Sequence, residues 1–175
     1  MTAAGLHPLL TRLARRRVPL GFAAAVVAFA FATPTPESLL WGLAIALPGE
    51  ALRVWAAGHI EKGREITTSG PYRLTRHPLY LGSSILGAGF AVAANSLSVT
   101  LVVAAYLGVT LLAAVRTEEA VLDARFDGAY LRYREGRHER AVRPFRWERV
   151  MANREYRAIV GFLLAGLLLS ARAWG

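Results

Sequence analysis

Two stretches of the 175-residue chain concentrate side chains that can do chemistry. The first, residues 58–82, reads GHIEKGREITTSGPYRLTRHPLYLG and holds Gly, Pro, His, Tyr and Arg at a density unlike the rest of the sequence. Gly70-Pro71 marks a turn, and the residue before each proline is pushed away from helical geometry by the ring that follows. His77 is therefore expected to be extended at the mouth of a helix that begins with Pro78. The first turn of such a helix offers free N–H groups and a positive dipole end, suited to a carboxylate or phosphate. Tyr72 and Tyr80 can add a stacking face and a hydroxyl. The second stretch opens with Arg116-Thr117-Glu118-Glu119. Adjacent acids at the C-terminal end of a helix oppose its dipole, so another interaction is expected to compensate. Both stretches also have plain structural readings. His and Tyr are common in loops at a membrane interface. RTEEAVLDARFDGAYLRYRE places Val121, Leu122, Ala124, Phe126, Ala129 and Tyr130 or Tyr133 at roughly helical spacing, as a surface-lying amphipathic helix would.

The elements that must position these residues are apolar. The chain is 54% hydrophobic and 19% charged, with a net charge of +9. The two classes are segregated rather than interleaved at the periods of a water-soluble fold. Five apolar blocks stand out, predicting spans at about 18–36, 38–59, 78–94, 96–115 and 157–174. A spanning helix needs about 20 apolar residues, with a lower limit of about 17. The expected fold is an all-α integral membrane protein, with about five transmembrane helices. A cytoplasmic loop at 60–77 and a cap at 116–156 complete one domain. Thr33-Pro34-Thr35-Pro36 breaks one helix and Ser38 can cap the next, while Asn95-Ser96 makes a hairpin in which Ser96 is the expected cap.

Charge supplies the orientation. Basic residues fill the N-terminal arm (Arg12, Arg15, Arg16, Arg17) and the second connection (Lys62, Arg64, Arg73, Arg76). The fourth connection, 116–157, holds 11 Arg. The first and third connections hold none. The positive-inside rule then places the N-terminus in the cytoplasm and the C-terminus outside; the Arg bias with abundant Ala suggests a GC-rich bacterial genome, and with it the inner membrane. A cleaved signal peptide is the rival for the first block, but its removal would upset the alternation. The same rule accounts for the basic balance without nucleic acid. With no cysteine there is no disulfide framework, thiolate metal site or cysteine nucleophile, and no metal is expected.

Together the two stretches resemble a known superfamily. RHPLYLG (76–82), preceded by TTSGPY (67–72), looks like the signature of the isoprenylcysteine carboxyl methyltransferase and phospholipid methyltransferase superfamily. TEEAVLDARFDGAYLRYRE looks like its second signature, a Glu pair followed by Phe and two Tyr three residues apart. The resemblance covers about residues 39–145. It implies a membrane methyltransferase using S-adenosyl-L-methionine, bound between the core helix ends and the cap. No GxGxxG follows a strand, in keeping with that. By motif position, Tyr72, Arg76, His77, Pro78, Tyr80 and Gly82 would bind the cofactor. Glu118 and Glu119 would meet its charged or ribose groups. The acceptor would be a lipid or small lipophilic molecule reaching the site from the bilayer. If its nucleophile is an amine, one Glu could also take the proton.

Other readings stay open. Glu50 and Arg53 lie three apart on one helix face, as an ion pair that fixes packing or as an Arg at the rim of the pocket with a catalytic role. Gly87-Ala88-Gly89 resembles a cofactor GxG but lies inside a span, where small residues serve close packing. The tail after residue 134 is longer and more basic than the superfamily's usual ending and adds a span. In it, 153–156 (NREY) either helps cover the pocket or starts the last helix. Trp147 and Trp174 suit interface anchoring. Two rival functions remain: a nicotinamide-dependent membrane reductase with a related pocket, and a non-catalytic membrane scaffold or sensor.

Overall fold

The computed structural model describes residues 8–61, 66–126, 129–137 and 142–175. Lys62, Arg64, Asp127, Gly128 and Arg140, which entered the charge count or the second motif, lie outside them. The described residues form seven α-helices and no strand: α1 (Pro8–Phe31), α2 (Pro36–Ala57), α3 (Pro78–Ala94), α4 (Leu97–Arg125), α5 (Ala129–Arg134), α6 (Trp147–Ala152) and α7 (Tyr156–Trp174). The helices α2, α4 and α7 are long and apolar enough to cross a membrane, and Val18–Phe31 and Pro78–Ala94 are shorter apolar stretches. Large apolar side chains such as Phe22, Leu40, Trp41, Leu101, Leu163 and Leu167 face outward. In water that surface would be a liability; against lipid it is the expected exterior. The protein is an all-α membrane protein.

Helix boundaries follow local chemistry, with two departures from expectation. Thr35, not Ser38, is the N-cap of α2. Ser38 is its capping-box partner, donating its backbone N–H to Thr35 Oγ1 at 3.1 Å while its own Oγ accepts the Thr35 N–H at 2.9 Å. Pro36 makes Thr35 extended, which is the cap geometry. The second departure is α4. It does not stop near residue 115 but continues to Arg125, so Glu118 and Glu119 sit inside a continuous helix. Residues 116–125 contain no Gly or Pro and are mostly good helix formers, so nothing halts the helix at the membrane surface. At 1.5 Å per residue α4 is roughly 43 Å long, more than an apolar thickness of about 30 Å requires. Ser96 caps α4, and Asn95 ends α3 in the left-handed region at φ 48°, as the hairpin requires.

The helices pack in the order α1, α4, α3, α2, α7. The closest pair is α2 with α3, and the reason is a matched row of small residues. Gly42, Ala46 and Gly49 of α2 face Gly82, Gly89 and Ala93 of α3. A Cβ added to Gly42 would stand 2.4 Å from the Ala93 nitrogen, one on Gly89 2.5 Å from the Ala46 nitrogen, and one on Gly49 2.6 Å from the Leu86 nitrogen. Between apolar helices in lipid, such close approach supplies the dispersion contacts that hydrophobic burial cannot. Gly87 faces the other way, onto Leu107 and Val103 of α4. The Gly87-Ala88-Gly89 triplet thus packs one glycine on each neighbouring helix.

Candidate active site

The α3 helix joins the two chemical stretches because its first turn lies between α2 and the projecting end of α4. Pro78 occupies its first position and is fully buried, and His77 precedes it with no side chain capping the helix start. From there Tyr80 donates to Glu118 Oε2 at 2.7 Å, and His77 Nε2 lies 3.1 Å from Glu119 Oε1. The rings of His77 and Tyr80 stack at 5.7 Å. Arg76 Nη1 stands 3.5 Å from the same Glu119 oxygen, and Tyr130 of α5 donates to it at 2.9 Å. The adjacent acids therefore do not depend on the α4 dipole. Each is held by donors from other elements.

Burial alone would push the Glu119 carboxyl upward. The hydrogen bonds from His77 and Tyr130, with the electrostatic attraction of the neighbouring His77 and Arg76 side chains, outweigh that and hold it below the usual carboxylate range. Tyr130 shifts the opposite way, raised by burial and by its bond to Glu119. Tyr133 lies beside it, donates to the Tyr72 carbonyl at 2.6 Å, and so pins the 3₁₀ turn Gly70–Arg73 under the cap. Tyr72 is buried, and its hydroxyl has no hydrogen-bond partner among the described residues. Burial first, then the charge on Glu118, then Tyr133, Tyr80 and Glu155, push its phenol far above the ordinary value. It remains a protonated donor, within the electrostatic reach of both Glu118 and Glu155.

Glu155 belongs to a second cluster, on the α2 side of α3. Arg53 Nη2 pairs with Glu155 Oε1 at 2.6 Å, Nε faces Glu50 Oε2 at 3.6 Å, and Nη1 donates to Ser83 Oγ. Gly82 allows this approach: a Cβ there would stand 2.7 Å from both Arg53 Cγ and the Gly49 carbonyl oxygen. The C-terminal segment delivers Glu155. Phe145 packs on Gly58 and edge-on to His59, and Arg149 and Arg143 meet Glu61 at 3.0 and 3.3 Å. Asn153 donates to the carbonyls of Ala57 and Ile60 at 3.0 and 3.1 Å, satisfying acceptors that the end of α2 leaves open. Arg154 turns the chain at φ 58°. Glu155 then holds the N-cap position of α7 without capping it, because its side chain goes to Arg53.

The structure thus brings Arg76, His77, Tyr80, Glu118 and Glu119 into one contact group, with Tyr72 tied to it through Tyr133. Pro78 shapes the group from below. Gly82 and Arg53 belong instead to the Glu50–Glu155 cluster, which also takes up Ser83. The sequence marked Tyr130 and Tyr133 as motif residues, but their bonds to Glu119 and Tyr72 appear only in the fold. Glu155 carried one signal, an acid in a polar NREY stretch just before a span. Among the described residues, no group of three or more His, Cys, Asp or Glu is placed to hold a metal ion.

Fold and site define a helical membrane protein whose polar residues converge at one end of the bundle. Residues 51–128 match the model of the phospholipid methyltransferase family, from the end of α2 to the residue before α5. That match takes in the first motif and the opening of the second, up to residue 128. The cobalt-zinc-cadmium resistance protein CzcN of Cupriavidus metallidurans is 37% identical over 87 residues, covering 49% of this chain and 39% of that protein. The chain spans about two fifths of this curated relative's length. No solved structure matches.

Proposed function

We infer that the protein transfers a methyl group from S-adenosyl-L-methionine to a lipophilic, membrane-partitioned acceptor at the cytoplasmic face of the inner membrane. The observation that carries this reading is the joining of the two motifs, Tyr80 to Glu118 and His77 to Glu119, in a family-matched segment. The residues fit the cofactor's chemistry. Its ammonium and sulfonium call for carboxylates, which Glu118 and Glu119 supply. Its carboxylate calls for the uncapped start of α3 with Arg76 or His77. When bound, the cofactor supplies an electrophilic methyl carbon on sulfur. What the chain contributes is alignment, since an in-line displacement gains most from holding nucleophile and methyl in register. Tyr80 and His77 keep the Glu pair oriented, and Tyr133 holds the Tyr72 turn beneath it. The same reading takes five spans in one domain, loop 60–77 and cap 116–156 in the cytoplasm, and the C-terminus outside. The alternating basic connections support it.

Titration of the purified protein with S-adenosylhomocysteine and, separately, NADPH tests the reading. Micromolar binding of the first alone is expected. Binding of NADPH alone would replace methyl transfer with reduction, and binding of neither would leave a scaffold. Glu118→Gln and His77→Ala should each weaken S-adenosylhomocysteine by roughly 30-fold without unfolding the protein. Full affinity in both would remove these residues from the site.

A further inference from the structure

The corner between α6 and α7 has two unlike sides. Its inward side is spent within the fold. Val150 and Glu155 are buried, Asn153 closes the carbonyls at the end of α2, and Arg143 and Arg149 meet Glu61. Its outward side is left over. Trp147 and Met151 are more than half exposed, and Tyr156, Arg146, Arg154 and Arg157 are exposed as well. Backbone bonds keep these six together. The Arg149 N–H donates to the Arg146 carbonyl at 3.2 Å, the Arg154 N–H to the Met151 carbonyl at 2.9 Å, and the Arg157 N–H to the Arg154 carbonyl at 3.1 Å. The Arg157 guanidinium carbon stands 6.0 Å from the centre of the Tyr156 ring. Among the described residues none of these three arginines is ion-paired, and Glu148 is the only exposed acid of the corner.

Aromatic and apolar surface beside unpaired guanidinium groups suits neither bulk water nor a protein core. Trp and Tyr rings settle at the level of lipid headgroups. The place in the fold agrees, because Tyr156 opens α7, whose outward Val160, Leu163 and Leu164 continue as the surface of a span. Three guanidinium groups against one carboxylate leave a positive excess, and a guanidinium meets phosphate oxygens two at a time. A zwitterionic headgroup brings its own cation to these arginines, whereas an anionic one does not. We propose that the α6–α7 corner is a seat for anionic phospholipid headgroups, with Trp147, Met151 and Tyr156 at the boundary of headgroup and acyl chain and the three arginines on the phosphates. The lipid here is a bound neighbour and not the methyl acceptor. The seat lies beyond residue 128, outside the stretch matched to the family, and uses none of the residues assigned to the cofactor. It therefore does not rest on the methyl-transfer reading.

The experiment is amide hydrogen exchange of the full-length protein in nanodiscs. Residues 146–157 should exchange about 10-fold more slowly in discs with about 30% phosphatidylglycerol than in pure phosphatidylcholine discs. Residues 93–96, at the other end of the bundle, should exchange alike in both. The difference should fade in roughly 1 M salt, where the screening length drops to about 3 Å. Replacing Arg146, Arg154 and Arg157 together by Gln should abolish it. Arg12→Gln with Arg16→Gln, which removes exposed charge from α1 instead, should leave it intact. Equal exchange of 146–157 in the two discs overturns the proposal, and that comparison needs no variant. A difference that persists in the folded triple variant overturns it, and so does one lost equally in the α1 variant, which would make it an effect of net charge. Inorganic phosphate added to phosphatidylcholine discs should not slow exchange. If it does so as strongly as phosphatidylglycerol, the corner takes a free anion and the lipid seat is wrong.

Discussion

The two ends of the helix bundle are built on opposite terms. At the hairpin end the first and third connections lock together. Thr33 donates its N–H to the Ala94 carbonyl and its hydroxyl to the Asn95 carbonyl, both at 2.8 Å, and Asn95 Nδ2 returns a bond to Thr33 at 3.2 Å. Ser38 reaches the Ala93 carbonyl, and Arg172 of α7 donates to the carbonyls of Phe29 and Ala30. Beneath these contacts Ala32, Leu39, Ala93, Ala94, Val99 and Leu169 form a closed apolar core. At the motif end the helices and the cap bring together acids, phenols and hydroxyls, several of them buried with no hydrogen-bond partner among the described residues. Unpaired buried polar atoms cost stability. One end of the bundle is tied by hydrogen bonds between its connections and helix ends, while the opposite end carries buried polar atoms without a hydrogen-bond partner among the described residues.

That contrast can be broken most severely in the seam that joins the ends. Gly89→Leu forces a side chain into the backbone of α2 and should cost about 3 kcal/mol or more, seen as lost monodisperse protein and a collapsed thermal transition. Next comes Glu118→Gln, which should show that the motif end is independent of the fold's stability. Cofactor-product affinity should fall by about 2 kcal/mol while the unfolding midpoint barely moves. If the midpoint falls as far as for a seam variant, Glu118 is holding the fold and the contrast fails.

Smaller effects sharpen the comparison. Tyr130→Phe removes one of three groups around Glu119 Oε1 and should cost about 1 kcal/mol in thermal stability. Its pH signature is specific. The Glu119 carboxyl is held below its ordinary value, so its contribution is complete above about pH 4.3. It is lost as acidification carries the protein down through the lowered native value. Midpoints measured from pH 7 to pH 3 should fall less steeply in Tyr130→Phe than in the parent. An identical acid slope would mean that the bond does not hold Glu119. Smallest is Thr35→Ala at the sealed end, which breaks the capping box for roughly 0.5–1 kcal/mol and should leave S-adenosylhomocysteine binding unchanged.

Much of this was legible in the residues. Pro78 and Asn95 bound α3 where proline and hairpin chemistry place its ends, and Ser96 caps α4. The Thr35–Ser38 box shows the limit of that reading: both residues suit a cap, and only the backbone angle set by Pro36 selects Thr35. The run of α4 through Glu118 was hidden for a different reason. A change from apolar to charged composition marks where a membrane surface falls, but a helix ends only where its backbone is interrupted. The row of small residues at 42, 46 and 49 and at 82, 89 and 93 was in plain view, yet its meaning depends on which helix faces which.

By itself the sequence determined an all-helical membrane protein and two motifs that resemble those of a methyltransferase family, because hydropathy, turn residues and motif spacing act over a few neighbouring positions. Its basic residues also made one face of the membrane the expected place for both motifs. Only the tertiary structure decided that Glu119 is shared by His77, Arg76 and Tyr130, and that the Tyr72 hydroxyl has no hydrogen-bond partner among the described residues. It also decided that Glu155 travels with the last helix to close on Arg53. Those outcomes depend on how helices far apart in the chain are rotated and set in register. That register is fixed by glycine contacts of about one atom's width.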